Sequence, residues 1–150
     1  MDPATSFAYA GYLAMAGWAG LIVSLFIRAA RPLVWPAAQL AIPAILAIAY
    51  ALLLIIGIEE SAGGGFGSIE QVRNLFESDA ALAAGWLHYL AFDLFVGTWI
   101  VRDGLDRRVH PLLILLCLPP TFLFGPTGLL LYAVLRAVAG RTPEPAGTVA

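Results

Sequence analysis

No lysine occurs in this chain: its 8 basic residues are all arginines, set against 10 acidic ones. Only 12% of residues are charged, where a soluble domain carries about 25%. A net charge of −2 without a basic patch removes the basis for binding nucleic acid. Cys117 is the single cysteine, which excludes an internal disulfide and any metal site built of cysteine alone. There is no HExxH, no Ser/His/Asp arrangement and no Cys/His set at metal-ligand spacing, so no metal is expected. The glycine run Gly63-Gly64-Gly65-Phe66-Gly67 lacks the Lys-Ser/Thr that completes a phosphate loop and reads as a flexible linker. A positive leader is also missing. Only Asp2 precedes the first apolar run, and Arg28 and Arg31 follow it, the reverse of a cleavable signal peptide.

What remains is apolar. The 150 residues are 61% hydrophobic with mean hydropathy +0.86, room for four or five spans of about 20 residues and little else. The pattern predicts an all-α polytopic membrane helix bundle forming a single domain over residues 1–140. Its four transmembrane helices are expected at residues 7–27, 36–58, 80–101 and 111–136, with the third central. In the first span Gly11, Ala14, Ala16, Gly17 and Gly20 form a small-residue surface that admits a neighbouring helix. Residues 28–35 read as a turn, with Pro36 in the first turn of the second span and Pro43 kinking that span. Ser68 reads as the N-cap of a short amphipathic helix at residues 68–77, either interfacial or a plain surface helix. The Pro/Gly-containing tail, residues 141–150, is expected to be disordered. Arg28, Arg31, Arg102, Arg107 and Arg108 put the two short loops in the cytoplasm and both termini outside; Arg136 and Arg141 fit this less well. The alanine-rich, lysine-free composition and the lack of a transit peptide suggest a bacterial plasma membrane.

The third span carries His88 and Asp93 inside an otherwise apolar run. A charged side chain at bilayer centre costs about 2.5–3.5 kcal/mol on insertion scales, so both residues are candidates for function. Positions five apart lie about 140° apart on a helix, so the two face different neighbours. Depth matching sets His88 beside Tyr50 and near Phe124-Gly125-Pro126, Asp93 near Leu118-Pro119-Pro120, and Trp18 at the depth of Asp93. The prolines of the fourth span free the carbonyls of Leu115, Leu116 and Phe122, and broken helices beside ionisable residues mark membrane binding sites. Each feature also has a plain structural reading. The prolines can be kinks, His88 can be hydrogen-bond glue, and Asp93 can be a buried carboxylate held by a Trp or Tyr donor.

The run Trp86-x-His88-x-x-Ala91-x-Asp93-Leu94-Phe95-x-Gly97-x-Trp99, then Arg102-Asp103, His110-Pro111, Cys117-Leu118 and Phe124-Gly125-Pro126-x-Gly128-Leu129-Leu130-x-Tyr132, resembles the abscisic-acid-deficient-four-like family of small membrane proteins. The plant member of that family is tied to neoxanthin formation from violaxanthin, which implies a role in carotenoid (xanthophyll) or related isoprenoid metabolism. The resemblance implies acid/base isomerisation of an epoxide, for which Asp93 would be the acid and His88 the base. Trp86, Tyr89, Phe92, Phe95, Trp99, Tyr50, Phe122, Phe124 and Pro126 would line the substrate slot. No cofactor is expected. The expected partners are membrane lipids, a hydrophobic isoprenoid or carotenoid ligand, and a second copy or a partner enzyme. Two alternatives stand beside this reading: a non-enzymatic pigment- or lipid-binding protein, and a small proton-coupled transporter.

Overall fold

The structure, a computed structural model, describes residues 2–139; the expected tail at 141–150 lies outside the described residues. Every regular element among the described residues is helical. Helix α1 (Pro3–Phe26) starts where Asp2 accepts the Thr5 N–H at 2.7 Å, with Pro3 in the first turn where no N–H is needed.

The next helical stretch runs unbroken from Arg28 to Glu60 and starts earlier than expected. A 3₁₀ turn (Arg28–Ala30) leads into α2 (Arg31–Pro36), a π turn (Ala37–Ala41) and α3 (Ile42–Glu60). Residues 28–35 are helix because Pro32 sits in the first turn of α2 and two side chains tie that turn to the end of α1. Arg31 Nε donates to the Ser24 carbonyl at 2.9 Å, and Trp35 Nε1 donates to Ser24 Oγ at 3.2 Å. Pro36 therefore ends α2 and does not open the span. Pro43 lies in the first turn of α3, with the π turn just before it.

A short helix, α4 (Ile69–Leu75), is capped by Ser68 as expected, with Gln71 N–H donating to its Oγ at 3.3 Å, and is a little shorter than 68–77. Helix α5 (Asp79–Asp106) outruns the expected 80–101 at its far end, where Asp103 and Arg107 pair one turn apart at 2.8 Å. It packs against α1, α3 and both helices that follow it, so it is the central helix.

The expected fourth span, 111–136, is two helices. α6 (Pro111–Phe124) and α7 (Pro126–Ala139) meet at Gly125, whose φ of 35° lies in the left-handed region. They fold back as a hairpin. At its tip Gly125 meets Asp93 in the middle of α5, while farther along α7 the Tyr132 hydroxyl donates to Asp103 Oδ2 at 2.6 Å and Arg136 reaches the same oxygen at 3.2 Å. The α7 end thus returns to the end of the bundle where α6 began. The arms approach so closely that a Cβ on Gly128 would strike the Thr121 backbone. Each arm has 14 residues, about 21 Å of helix, short of a hydrocarbon core of about 30 Å.

Among the described residues three helices are long and apolar enough to cross a membrane: Pro3–Phe26, Arg28–Glu60 and Asp79–Asp106. Two cores hold them together. Near the acidic end α1, α3 and α5 meet through Ala10, Ala14, Leu46, Leu53, Ala80, Ala83, Ala84 and Leu87. Near the arginine end Trp18, Leu21, Leu94, Ile100, Ile114, Leu118 and Tyr132 fill a bulkier core. Of the expected small-residue surface on α1, Ala14 and Gly17 are buried, Gly17 against Leu94; Gly11 has nothing close by.

Candidate functional site

Because the hairpin stops at mid-bundle, it leaves the outer half of one face of α5 uncovered. A groove of about 830 Å³ opens there between α1, the end of α4 and α5. Phe7, Phe76, Leu82 and Trp86 form its walls; Phe7 and Trp86 stack at 5.2 Å between centroids, and Trp86 stacks in turn on Tyr89 at 5.3 Å. Asp79, in the first turn of α5 where the helix dipole favours an anion, and Tyr89 are its polar lining side chains.

Asp93 lies one turn beyond Tyr89. Its side chain is buried, Oδ1 is close enough to Gly125 that an added Cβ would sit 2.6 Å away, and Oδ2 has no hydrogen-bond partner among the described residues. Only glycine lets the hairpin tip approach this carboxylate. The Tyr89 hydroxyl donates to the Phe122 carbonyl at 2.8 Å. Pro126, four residues on, cannot supply an N–H to that carbonyl, so Tyr89 satisfies a group that the chain break would otherwise leave bare. The groove lining is thereby joined to the hairpin tip.

The residues expected to form one site divide among several places. Asp93 and Tyr89 belong together at the hairpin tip, and Trp86 lines the groove above them. His88 does not join them. It is exposed on the opposite side of α5, stacked on Phe92 at 4.6 Å and 5.5 Å from Tyr50, where depth matching set it. The expected base is therefore not beside the expected acid, because five residues of helix turn it away. Phe92 and Phe95 line a second, separate groove. Trp99 packs edge-on against Tyr132 in the core, and Phe122 packs edge-on against Trp18. Phe124 and Pro126 are exposed at the hairpin tip. The depth estimate of Asp93 beside Leu118-Pro119-Pro120 is off by more than a turn, since the carboxylate faces Gly125. Trp18 sits close, one turn farther along against Gly97.

The groove residues Pro3, Ala4, Phe7, Phe76 and Asp79 carried no mark in the sequence, because only the fold brings them together. Among the described residues the other buried polar side chains do not form a continuous polar file through the bundle. Ser24, Thr98 and Thr121 each donate their hydroxyl to a carbonyl of their own helix. No group of three or more potential metal-ligating side chains occurs among the described residues.

The family described as ABA DEFICIENT 4-like matches residues 5–132. The chain belongs to that family. Over 68 residues it is 32% identical to Protein ABA DEFICIENT 4, chloroplastic, of Arabidopsis thaliana, a match that covers 45% of this chain and 29% of that protein. The matched stretch is thus under a third of that relative's length. A chloroplastic relative lends nothing to the expectation of a bacterial membrane. No solved structure matches the chain.

Proposed function

We propose that this chain is an integral membrane protein of carotenoid or related isoprenoid metabolism, and that the groove above Tyr89 holds an elongated apolar ligand. Membership of the ABA DEFICIENT 4-like family supports the class. One observation carries the site: an apolar groove of about 830 Å³ lined by Tyr89, with a buried carboxylate of incomplete hydrogen bonding one helical turn farther along α5. Ligand pockets are commonly mostly apolar with a few polar groups that fix orientation.

The chemistry that fits is isomerisation of a xanthophyll epoxide. Asp93 gives its proton to the epoxide oxygen, the C–O bond opens, and the carboxylate left behind takes a proton from carbon as the new double bond forms. Substrate and product are isomers, so no oxidant or reductant enters. One carboxyl serves as acid and then base, which dispenses with His88. Tyr89, whose proton is held by the Phe122 carbonyl, accepts from the oxygen once Asp93 has protonated it. The position of Asp93 below the groove, not in its lining, favours a second reading: a pigment-binding protein that holds a ligand for a partner enzyme.

The test is expression in a bacterium supplied with epoxidised carotenoids, with pigments separated by chromatography and weighed by mass spectrometry. The isomerase reading expects a new pigment of unchanged mass, lost by a factor of about 100 or more in Asp93→Asn at equal membrane abundance. Pigment that co-purifies unaltered supports the second reading. If no pigment is altered or bound, both fail.

A further inference from the structure

The second groove, about 330 Å³, lies on the outer surface between α3 and α5. Leu40, Pro43, Ala44, Ala47, Phe92 and Phe95 line it, all apolar, and Gln39 closes one end. That end is the polar one. Gln39 Oε1 accepts a hydrogen bond from Arg102, and the Arg102 guanidinium lies over the Trp35 ring, 5.3 Å from its centroid. The Arg31 guanidinium lies 5.6 Å from the centroid of the same ring. Two cations therefore share one indole, and neither has a carboxylate partner among the described residues; Asp103, next in sequence to Arg102, pairs instead with Arg107 and Arg136. Arg31 also donates to the Ser24 and Leu25 carbonyls at 2.9 and 3.3 Å, which leaves its remaining N–H groups and those of Arg102 to receive an anion. The groove ends at the side of the bundle where Arg28, Arg31, Arg102, Arg107 and Arg136 gather.

We propose that this surface is a binding site for one anionic glycerophospholipid. An acyl chain lies along Ala44, Ala47, Phe92 and Phe95, and the phosphate is held by Arg102 and Arg31 beside Trp35. The two halves of the site match the two halves of such a molecule. An apolar groove alone would take any chain, and an arginine pair alone would take any anion. The π turn at Ala37–Ala41 belongs to the site, since it places Gln39 and Leu40 on the groove while the helix carries Trp35 to the arginines. Guanidinium hydrogen bonds to phosphate are among the stronger polar contacts, and aromatic residues beside them suit the interface between hydrocarbon and headgroup.

The experiment uses the full chain in detergent with added phosphatidylglycerol, phosphatidylcholine of matched chains, or inorganic phosphate. Retained lipid is counted by native mass spectrometry and the melting temperature is followed. Phosphatidylglycerol is expected to give a single retained adduct and a raised melting temperature, with little from phosphatidylcholine. Arg102→Gln should weaken retention about tenfold or more, the scale of one lost charge-assisted bond. Ala47→Phe, an exposed position, should fill the groove and abolish retention without lowering the lipid-free melting temperature. Equal retention of phosphatidylcholine, or retention unchanged in both variants, overturns the proposal. An equal rise with inorganic phosphate alone also overturns it, since it leaves an anion site with no role for the groove. This outcome is independent of pigment chemistry at Asp93.

Discussion

The two long faces of α5 are covered in different ways. On one, α3 runs beside it along the acidic half, drawn in by small residues; Gly57 sits so near Ala81 that an added Cβ would lie 2.6 Å from that residue's backbone N. On the other, α6 and α7 cover the arginine half and then turn back at Asp93. Along that half the first face is a closed interface; the outer groove between α3 and α5 opens only beyond it, beside Phe92 and Phe95. The second carries both the groove and the buried carboxylate. An ionisable residue in a membrane helix is tolerated where protein or a wet cavity receives it, and here that place is the end of a cover that is too short. The groove exists because one element stops half-way.

The largest effect to be looked for is one of sidedness. If α6 and α7 were one span, a reporter joined after residue 139 would lie across the membrane from one placed in the turn at residue 108. The hairpin sets both on the same side, and it brings Arg136 to the end of the bundle that already holds the other loop arginines, the arrangement expected of a cytoplasmic face. Fusions of an enzyme active on one side only should report the same side at both points. Opposite sides would remove the hairpin, and with it the open groove.

Next in size is Gly128→Leu. A side chain there meets the Thr121 backbone, which cannot move aside as a flexible side-chain end could, so the arms must part. A loss of about 3 kcal/mol or more is expected, seen as a lower melting temperature in detergent. Gly11→Leu on α1 is the control, since nothing lies within 4 Å of its added Cβ. Similar losses at both positions would mean that the close packing of the hairpin contributes nothing particular.

Much of this architecture was legible beforehand. Hydropathy located the three long helices, Ser68 marked the start of α4, and the two-faced third span indicated a central helix. The hairpin was legible in part. Gly125-Pro126 carries the marks of one helix ending and another beginning, glycine just past an end and proline at a start, but a continuous apolar run from 111 to 136 outweighed them. Hydropathy measures how apolar a stretch is and carries no information on whether it crosses or turns back. The site suffered accordingly. Asp93 could be picked out as an isolated charge, and Tyr89 as an aromatic near it, whereas Pro3, Phe7 and Phe76 come to the groove from remote parts of the chain. The orphaned carbonyl of Phe122 was predictable from Pro126; its donor, Tyr89, was not, because the pairing depends on where the tip lands.

The smallest expected effect sharpens the comparison from its other side. His88 and Tyr89 are neighbours in sequence and stand on different faces of α5. His88→Ala removes an exposed ring stacked on Phe92 and near Tyr50, with no hydrogen bond to lose among the described residues. Stability should change by about 0.5–1.5 kcal/mol at most, the scale of one aromatic contact, and pigment conversion or binding should stay within about twofold of the parent. Tyr89→Phe removes a single hydroxyl but leaves the Phe122 carbonyl unsatisfied, so it should reduce conversion or binding by about tenfold while keeping the Trp86 stack. The pair is measured in the same pigment assay at equal membrane abundance. If His88→Ala were the more damaging of the two, function would belong to the α3 side of the helix, and the groove left by the short hairpin would be a packing defect with no ligand to serve.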